Sequence, residues 1–167
     1  HLRPRRQRQM CIRDSITWGL MMEGGIQVNV EGKRFSNEHE GYSEQAVKVL
    51  AQPEQVAFNI FDERLLKIGR EFEDFRNAET AKAIISADSI EELSEKLNLP
   101  FQNISETFEY CADQAEKEAP DRFGRVFSLE KLLKPPFFAV KVTGTLFHTQ
   151  GGLAIDEKAR VIKNDGS

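Results

Sequence analysis

The sequence predicts an α+β domain, in which strands and helices do not alternate as they would in a parallel sheet. Three observations point there. The strand-like and helix-like stretches are irregular in order, unlike the βαβ succession of a doubly wound fold. The 167 residues are 40% hydrophobic and 30% charged, enough apolar material to bury a core. No internal repeat or low-complexity segment suggests a solenoid or a linker.

Taken in order, Gly25 to Phe35 reads as a hairpin. Ile26, Val28 and Val30 alternate with polar residues, Glu31-Gly32-Lys33 supplies the turn, and Arg34-Phe35 returns. Tyr42 to Leu50 has the composition of a short helix ended before Pro53, and Val56 to Phe61 suits a pleated, buried strand. Arg64 to Phe75 is expected as one helix with Leu65, Ile68 and Phe72 on one face. Ser89 and Glu92 form a capping box, so a helix begins there, buries Ile90, Leu93 and Leu97, and stops before Pro100. Ile104, Phe108, Cys111 and Ala115 mark the buried stripe of another helix, which makes Cys111 a core thiol. After Pro135-Pro136, Phe137 to Phe147 runs as an apolar strand, and Gly152 to Ile162 reads as strand, turn, strand.

Composition excludes several classes of function. No apolar run approaches a bilayer span, two cysteines make no disulfide framework or thiolate metal site, and the three histidines lack ligand spacing. A net charge of -4 argues against nucleic acid as a partner. The first fifteen residues are the exception, with Arg3, Arg5, Arg6, Arg8 and Arg13 against Asp14 alone. A phosphate-gripping arm or a targeting peptide would each explain basic residues, but no apolar h-region and no interleaved aromatic accompanies them. Met10 to Ser15 is what AG-ATG-TGT-ATA-AGA-GAC-AG encodes, and Arg5 to Gln9 what CGT-CGG-CAG-CGT-CAG encodes. These strings resemble a transposase sequencing adapter. Residues 1–15 are therefore expected to be an adapter-derived, disordered artefact, and the chain to be cut at both ends.

Three stretches, in this order, resemble the capping domain of the fumarate reductase and succinate dehydrogenase flavoprotein family. They are Gly24 to Glu38, containing Gly32-Lys33-Arg34-Phe35-Ser36-Asn37-Glu38; Phe123-Gly124-Arg125 followed by Pro135 to Ala139; and His148-Thr149-Gln150-Gly151-Gly152 running on to Asp156. The resemblance implies an α+β capping (clamp) domain over residues 16–148, with 149–167 re-entering the FAD-binding domain. It implies FAD as cofactor, a small-molecule substrate bearing a carboxylate or carbonyl, and hydride transfer between the two. The nucleotide-binding glycines would lie in an FAD-binding domain of the same chain, outside this sequence. A cytoplasmic location is expected, with the periplasm as the alternative.

The site residues follow from that resemblance. His148 would bind a substrate carboxylate, beside Thr149, while Gly151 and Gly152 would let backbone approach the flavin. Tyr42 stands where fumarate reductases carry a proton-donating arginine, and the charged members of the usual proton path would fall on Trp18 and Met21. That departure argues against a strict fumarate reductase and leaves Tyr42 as the acid or base. Each residue also has a plain structural reading: His148 bonded to backbone at a strand end, Gly151-Gly152 as a turn, Tyr42 as an aromatic staple. Arg125 is expected either to anchor its loop or to face substrate, and Arg34 with Glu38 to form a structural pair. The acidic stretch from Asp113 to Asp121 reads as a solvated helix face. Competing with the enzyme are a non-catalytic fragment that binds no flavin, and an α+β binding module that only imitates the family.

Overall fold

A computed structural model describes residues 18–144. Residues 18–22 form a helical turn that leads into β1 (Ile26–Val28). There follow α1 (Tyr42–Leu50), β2 (Val56–Asp62), α2 (Glu63–Gly69), α3 (Glu73–Thr80), β3 (Ile84–Ala87), α4 (Ile90–Leu97), α5 (Phe101–Lys117) and β4 (Phe137–Thr143). The strands make one sheet in the order β1-β2-β4-β3, and every neighbouring pair is antiparallel.

Helices cover both faces of the sheet. On one face Ile26, Val28, Phe58, Ile60, Phe137 and Ala139 pack with Leu93 and Leu97 of α4 and Ile104, Cys111 and Ala115 of α5. On the other, Ala57, Phe61, Val140 and Val142 meet Val49 of α1, Leu65 and Leu66 of α2, and Phe75 of α3. Alternation along β2 and β4 assigns successive residues to opposite layers. Phe61 is fully buried, edge-on to Phe75 at 5.8 Å and stacked with Phe138 at 6.0 Å.

Local chemistry explains most boundaries. Ser89 Oγ accepts from the Glu92 N–H at 3.2 Å, and Asp88 N–H donates back to Glu92 Oε2 at 2.7 Å, so the capping box opens α4 as expected. Asn98, at φ 54°, ends it in the left-handed conformation. Asp62 caps α2 by accepting from Leu65 N–H at 3.1 Å. Thr107, not Phe108, completes the fully buried stripe of α5; Phe108 is half-buried and edge-on to Phe137.

Three expectations are corrected. The return arm of the hairpin is not a strand: β1 pairs with β2, Ile26 opposite Ile60 and Val28 opposite Phe58. A closed turn forms at 29–33, with Asn29 N–H donating to Lys33 O and Gly32 at φ +75°. Beyond it Arg34 is drawn inward to two carboxylates, which carries its backbone away from the sheet. The single helix expected from Arg64 to Phe75 is two. Gly69 lies against the Phe75 ring, where an added Cβ would stand 2.8 Å from its carbons, and Arg76 Nη1 donates to the carbonyls of Arg70 and Glu71 at the break. Phe72 is consequently exposed rather than part of a buried face. Finally, β3 and the part of α3 beyond Phe75 form where sequence patterning marks no element. The β4 strand matches expectation through Thr143; its continuation to Phe147, and the strands expected at 152–162, lie outside the described residues, as do residues 1–15.

Candidate functional site

At the β1 end of the sheet the chain buries a charge network. Glu38 accepts from Arg34 Nε and Nη2, each at 2.7 Å, from Arg125 Nη1 at 2.9 Å, and from the backbone N–H of Gln27 at 3.0 Å. Arg34 Nη1 also donates to Asp121 Oδ2 at 2.8 Å, and Arg125 Nη1 to the carbonyl of Gly25 at 2.9 Å. All four side chains are at most 2% exposed in these pairs. Two cations and two anions thus balance, the condition under which ions persist in an interior. Burial works against both Glu38 and Arg34 charging, but their mutual bonds and charge outweigh it, so the carboxyl is held below its usual range and the guanidinium stays ionised. Asp121 is lowered in the same way: burial opposes, Arg34 and the N–H groups of Arg125 and Phe123 prevail. The ring of Phe127 lies 4.7 Å from the Arg34 guanidinium carbon and 4.5 Å from that of Arg125, closing the network from the side.

A neutral network continues it. Gln27 and Asn59 are cross-strand partners on the α1 face of the sheet, and Gln27 Nε2 donates to Asn59 Oδ1 at 2.6 Å. From α1, Gln45 Nε2 donates to Gln27 Oε1 at 3.0 Å and to Ser36 Oγ at 2.7 Å. All four residues are buried.

The segment 36–41 has no regular structure yet is held along its length. Asn37 Oδ1 accepts from His39 N–H at 2.9 Å, Trp18 Nε1 donates to the Glu40 carbonyl at 2.9 Å, and Lys48 pairs with the Glu40 carboxylate. His39 is half-buried, and burial first, then the charge of Arg125, lowers its pKa below the usual 6.5. The segment delivers the chain to Tyr42, the first residue of α1, whose N-cap Gly41 offers no side chain to the helix end. Trp18 also lines an apolar hollow of about 500 Å3 with Leu20, Ile68 and Phe72.

The structure therefore places Tyr42 at a helix start fed by a pinned loop, while Trp18 contributes an indole bond to Glu40 and Met21 a buried thioether. Arg34 and Glu38 form the structural pair expected of them. Arg125 faces inward, to Glu38 and Gly25, rather than into a cleft. His148, Thr149, Gly151 and Gly152 lie outside the described residues. Sequence reading misses Asp121, which ends an acidic stretch with the look of a solvated face, and the Gln27-Asn59-Gln45-Ser36 set. The available signal is Asn59, the one polar residue in the apolar run Val56 to Phe61; Gln27 alternates with Ile26 and Val28 as a solvent-facing residue would.

With this geometry in view, known proteins are informative. The family model described as an FAD binding domain matches residues 1–167. The NADH:fumarate oxidoreductase of Klebsiella pneumoniae (strain 342) is 31% identical over 161 residues, which is 95% of this chain and 16% of that protein. The open conformation of a flavocytochrome c3 fumarate reductase superposes with a TM-score of 0.70 at 26% identity, covering 89% of this chain and 26% of the other. A solution structure of a fumarate reductase flavoprotein subunit from Lactobacillus plantarum shares the fold, with a TM-score of 0.61 at 18% identity, covering 83% of this chain and 92% of that one. The chain thus spans a minor part of the curated relatives' length. Among the described residues the sheet is wholly antiparallel, with no glycine-rich strand-turn-helix to cradle a dinucleotide, so these residues do not themselves fit the nucleotide of FAD.

Proposed function

The chain belongs to the FAD binding domain family, among the fumarate-reductase-type FAD-dependent oxidoreductases, and from that membership we propose that it is the substrate-capping segment of a longer flavoenzyme. The reaction is reduction or dehydrogenation beside a carboxylate or carbonyl group, and FAD, when bound, supplies the hydride chemistry. The observation that carries the reading is a fold alike over 89% of this chain, yet only 26% of a fumarate reductase, with no nucleotide cradle among the described residues.

This chain's residues take the complementary tasks. Tyr42 gives or takes the proton, which needs its phenol lowered from about 10 by its surroundings. His148 hydrogen-bonds a substrate carboxylate, adding charge when protonated, with Thr149 beside it. Gly151 and Gly152 pass close to the flavin because they carry no side chain. Arg125 anchors the loop between α5 and β4 through Glu38 and Gly25, and so supports the cap without meeting substrate.

Replacing His148 by alanine in the full-length flavoprotein should raise KM for acidic substrates about tenfold or more while leaving flavin absorbance intact. An unchanged KM removes His148 from the site. The second reading, a piece that binds no flavin by itself, draws on the lack of a nucleotide cradle among the described residues. It predicts a colourless 167-residue chain and a yellow full-length protein; yellow colour in the short chain would overturn it.

A further inference from the structure

We infer that Gln45 is a positioning residue for Tyr42, fixing how α1 is seated on the sheet and hence where its first residue stands. The inference rests on the assignment of Tyr42 as the proton-transfer group.

A strand pair covered by helices on both faces normally presents apolar side chains to each. Here the α1 face carries Gln27 and Asn59 instead, with Gln45 and Ser36 brought to meet them. Gln27, Ser36, Gln45 and Asn59 are 5%, 3%, 8% and 3% exposed, so each has given up its water. Buried amides cost free energy unless bonded, and what their bonds return is direction: an apolar contact tolerates a helix turning or sliding, whereas a bond at 2.7–3.0 Å does not.

Gln45 is the member that belongs to α1. Its amide nitrogen donates to two anchors, Gln27 on β1 and Ser36 at the start of the pinned segment. It lies three residues after Tyr42, in the first turn of the helix that Tyr42 begins. Among the described side chains of α1, Ala46 and Val49 are also buried, and they supply area but no direction. Both of Gln45's anchors are fixed in turn. Gln27 is tied to Asn59 through its side chain and to Glu38 through its backbone N–H, and the Ser36 carbonyl accepts from Arg34 Nη2. The orientation of α1 is thereby referred back to the ion network through one side chain.

The test is a double-mutant cycle in the full-length flavoprotein with Tyr42→Phe, Gln45→Met and both together. Methionine fills the space of glutamine without its donors. Tyr42→Phe should lower kcat about 100-fold, the usual scale for losing an acid or base. Gln45→Met should lower it about tenfold with KM within about twofold, and should add nothing once Tyr42 is phenylalanine. If Tyr42→Phe leaves kcat unchanged, the assignment of Tyr42 fails and the inference with it. If Tyr42→Phe is slow but Gln45→Met costs the same factor in both backgrounds, or none, Gln45 does not position Tyr42 and the assignment stands. Should Gln45→Met fail to accumulate, Ser36→Ala, which removes one anchor only, goes through the same cycle and is judged by the same criteria. A readout independent of turnover uses the two tyrosines of the sequence. In the 167-residue chain, Tyr110→Phe leaves Tyr42 as the sole phenol, and adding Gln45→Met should displace its ultraviolet titration; an unmoved curve counts against the inference.

Discussion

Replacing Glu38 by glutamine should cost this protein a large share of its stability. The carboxylate receives four donors, two from Arg34, one from Arg125 and one from the backbone of Gln27, with no solvent access at its side chain. In Glu38→Gln, Arg34 keeps Asp121 at 2.8 Å, but Arg125 keeps only the Gly25 carbonyl, a dipole where a charge had been. The new amide NH2 also points donors at donors. Breaking a buried ion pair from one side costs about 3–5 kcal/mol, because the survivor stays charged and dehydrated. Against a total of roughly 5–15 kcal/mol for a domain, that lowers the melting temperature by about 10–15 °C. Urea unfolding, followed by the fluorescence of Trp18 and by far-ultraviolet circular dichroism, measures it. Glu31→Gln is the control, since the Lys33–Glu31 pair at 3.7 Å is half-exposed and worth little. Adding Arg125→Leu to Glu38→Gln should recover part of the loss by removing the stranded cation. A Glu38→Gln loss below about 1 kcal/mol, or a double variant much worse than the single, would refute the assignment of the network as a charge-balanced unit.

Other outcomes follow from the same structure. Stability should fall in acid in two stages. His39 is held below 6.5, so the folded state resists its protonation, and the stability this adds above 6.5 should begin to drain as pH falls through that value. Glu38 and Asp121 are held below 4.5 and 3.8, and the stability they add should be lost below those values. A urea midpoint that stays flat from pH 8 to 5, in the protein and in His39→Asn alike, would discount the first stage. Burial pushes the Cys111 thiol up to about 11, so a Cys11→Ser variant should give no colour with a disulfide reagent at pH 8 until urea is added. Phe61→Ala should cost about 3–5 kcal/mol, since it empties the space between Phe75 and Phe138; a loss under about 1 kcal/mol would mean the layer collapses to fill it.

What the sequence discloses depends on whether the signal is local. The α4 capping box and the limits of α1 come from contacts within one or two turns and are readable, and the α5 stripe is readable from its period except that Thr107 takes the place of Phe108. The hairpin is misread because a turn signal at 31–33 does not say which strand the returning arm will join, and two distant carboxylates decide that for Arg34. The split between α2 and α3 escapes because Gly69 yields to Phe75, a contact that helical periodicity does not encode. β3 is four residues at a sheet edge with only Ala87 fully buried, so despite Ile84 and Ile85 it is too short to show an alternation. Of the candidate site, Arg34 with Glu38 is legible because both fall within one short signature, Gly32 to Glu38, whereas Asp121 lies 87 residues from Arg34.

The place of β4 in the sheet has a consequence for how the polypeptide is made. It lies between β2 and β3, yet comes last of the four in sequence, bonding Val56–Asp62 across some eighty residues. On the ribosome, β2 and β3 therefore emerge without a common neighbour, and the helices of both layers wait with apolar sides uncovered. Closing so long a loop is slow, and the interval is when such surfaces meet other molecules. A nascent chain stalled before Phe137 should be a ready client for holdase chaperones, and one released after Thr143 should not.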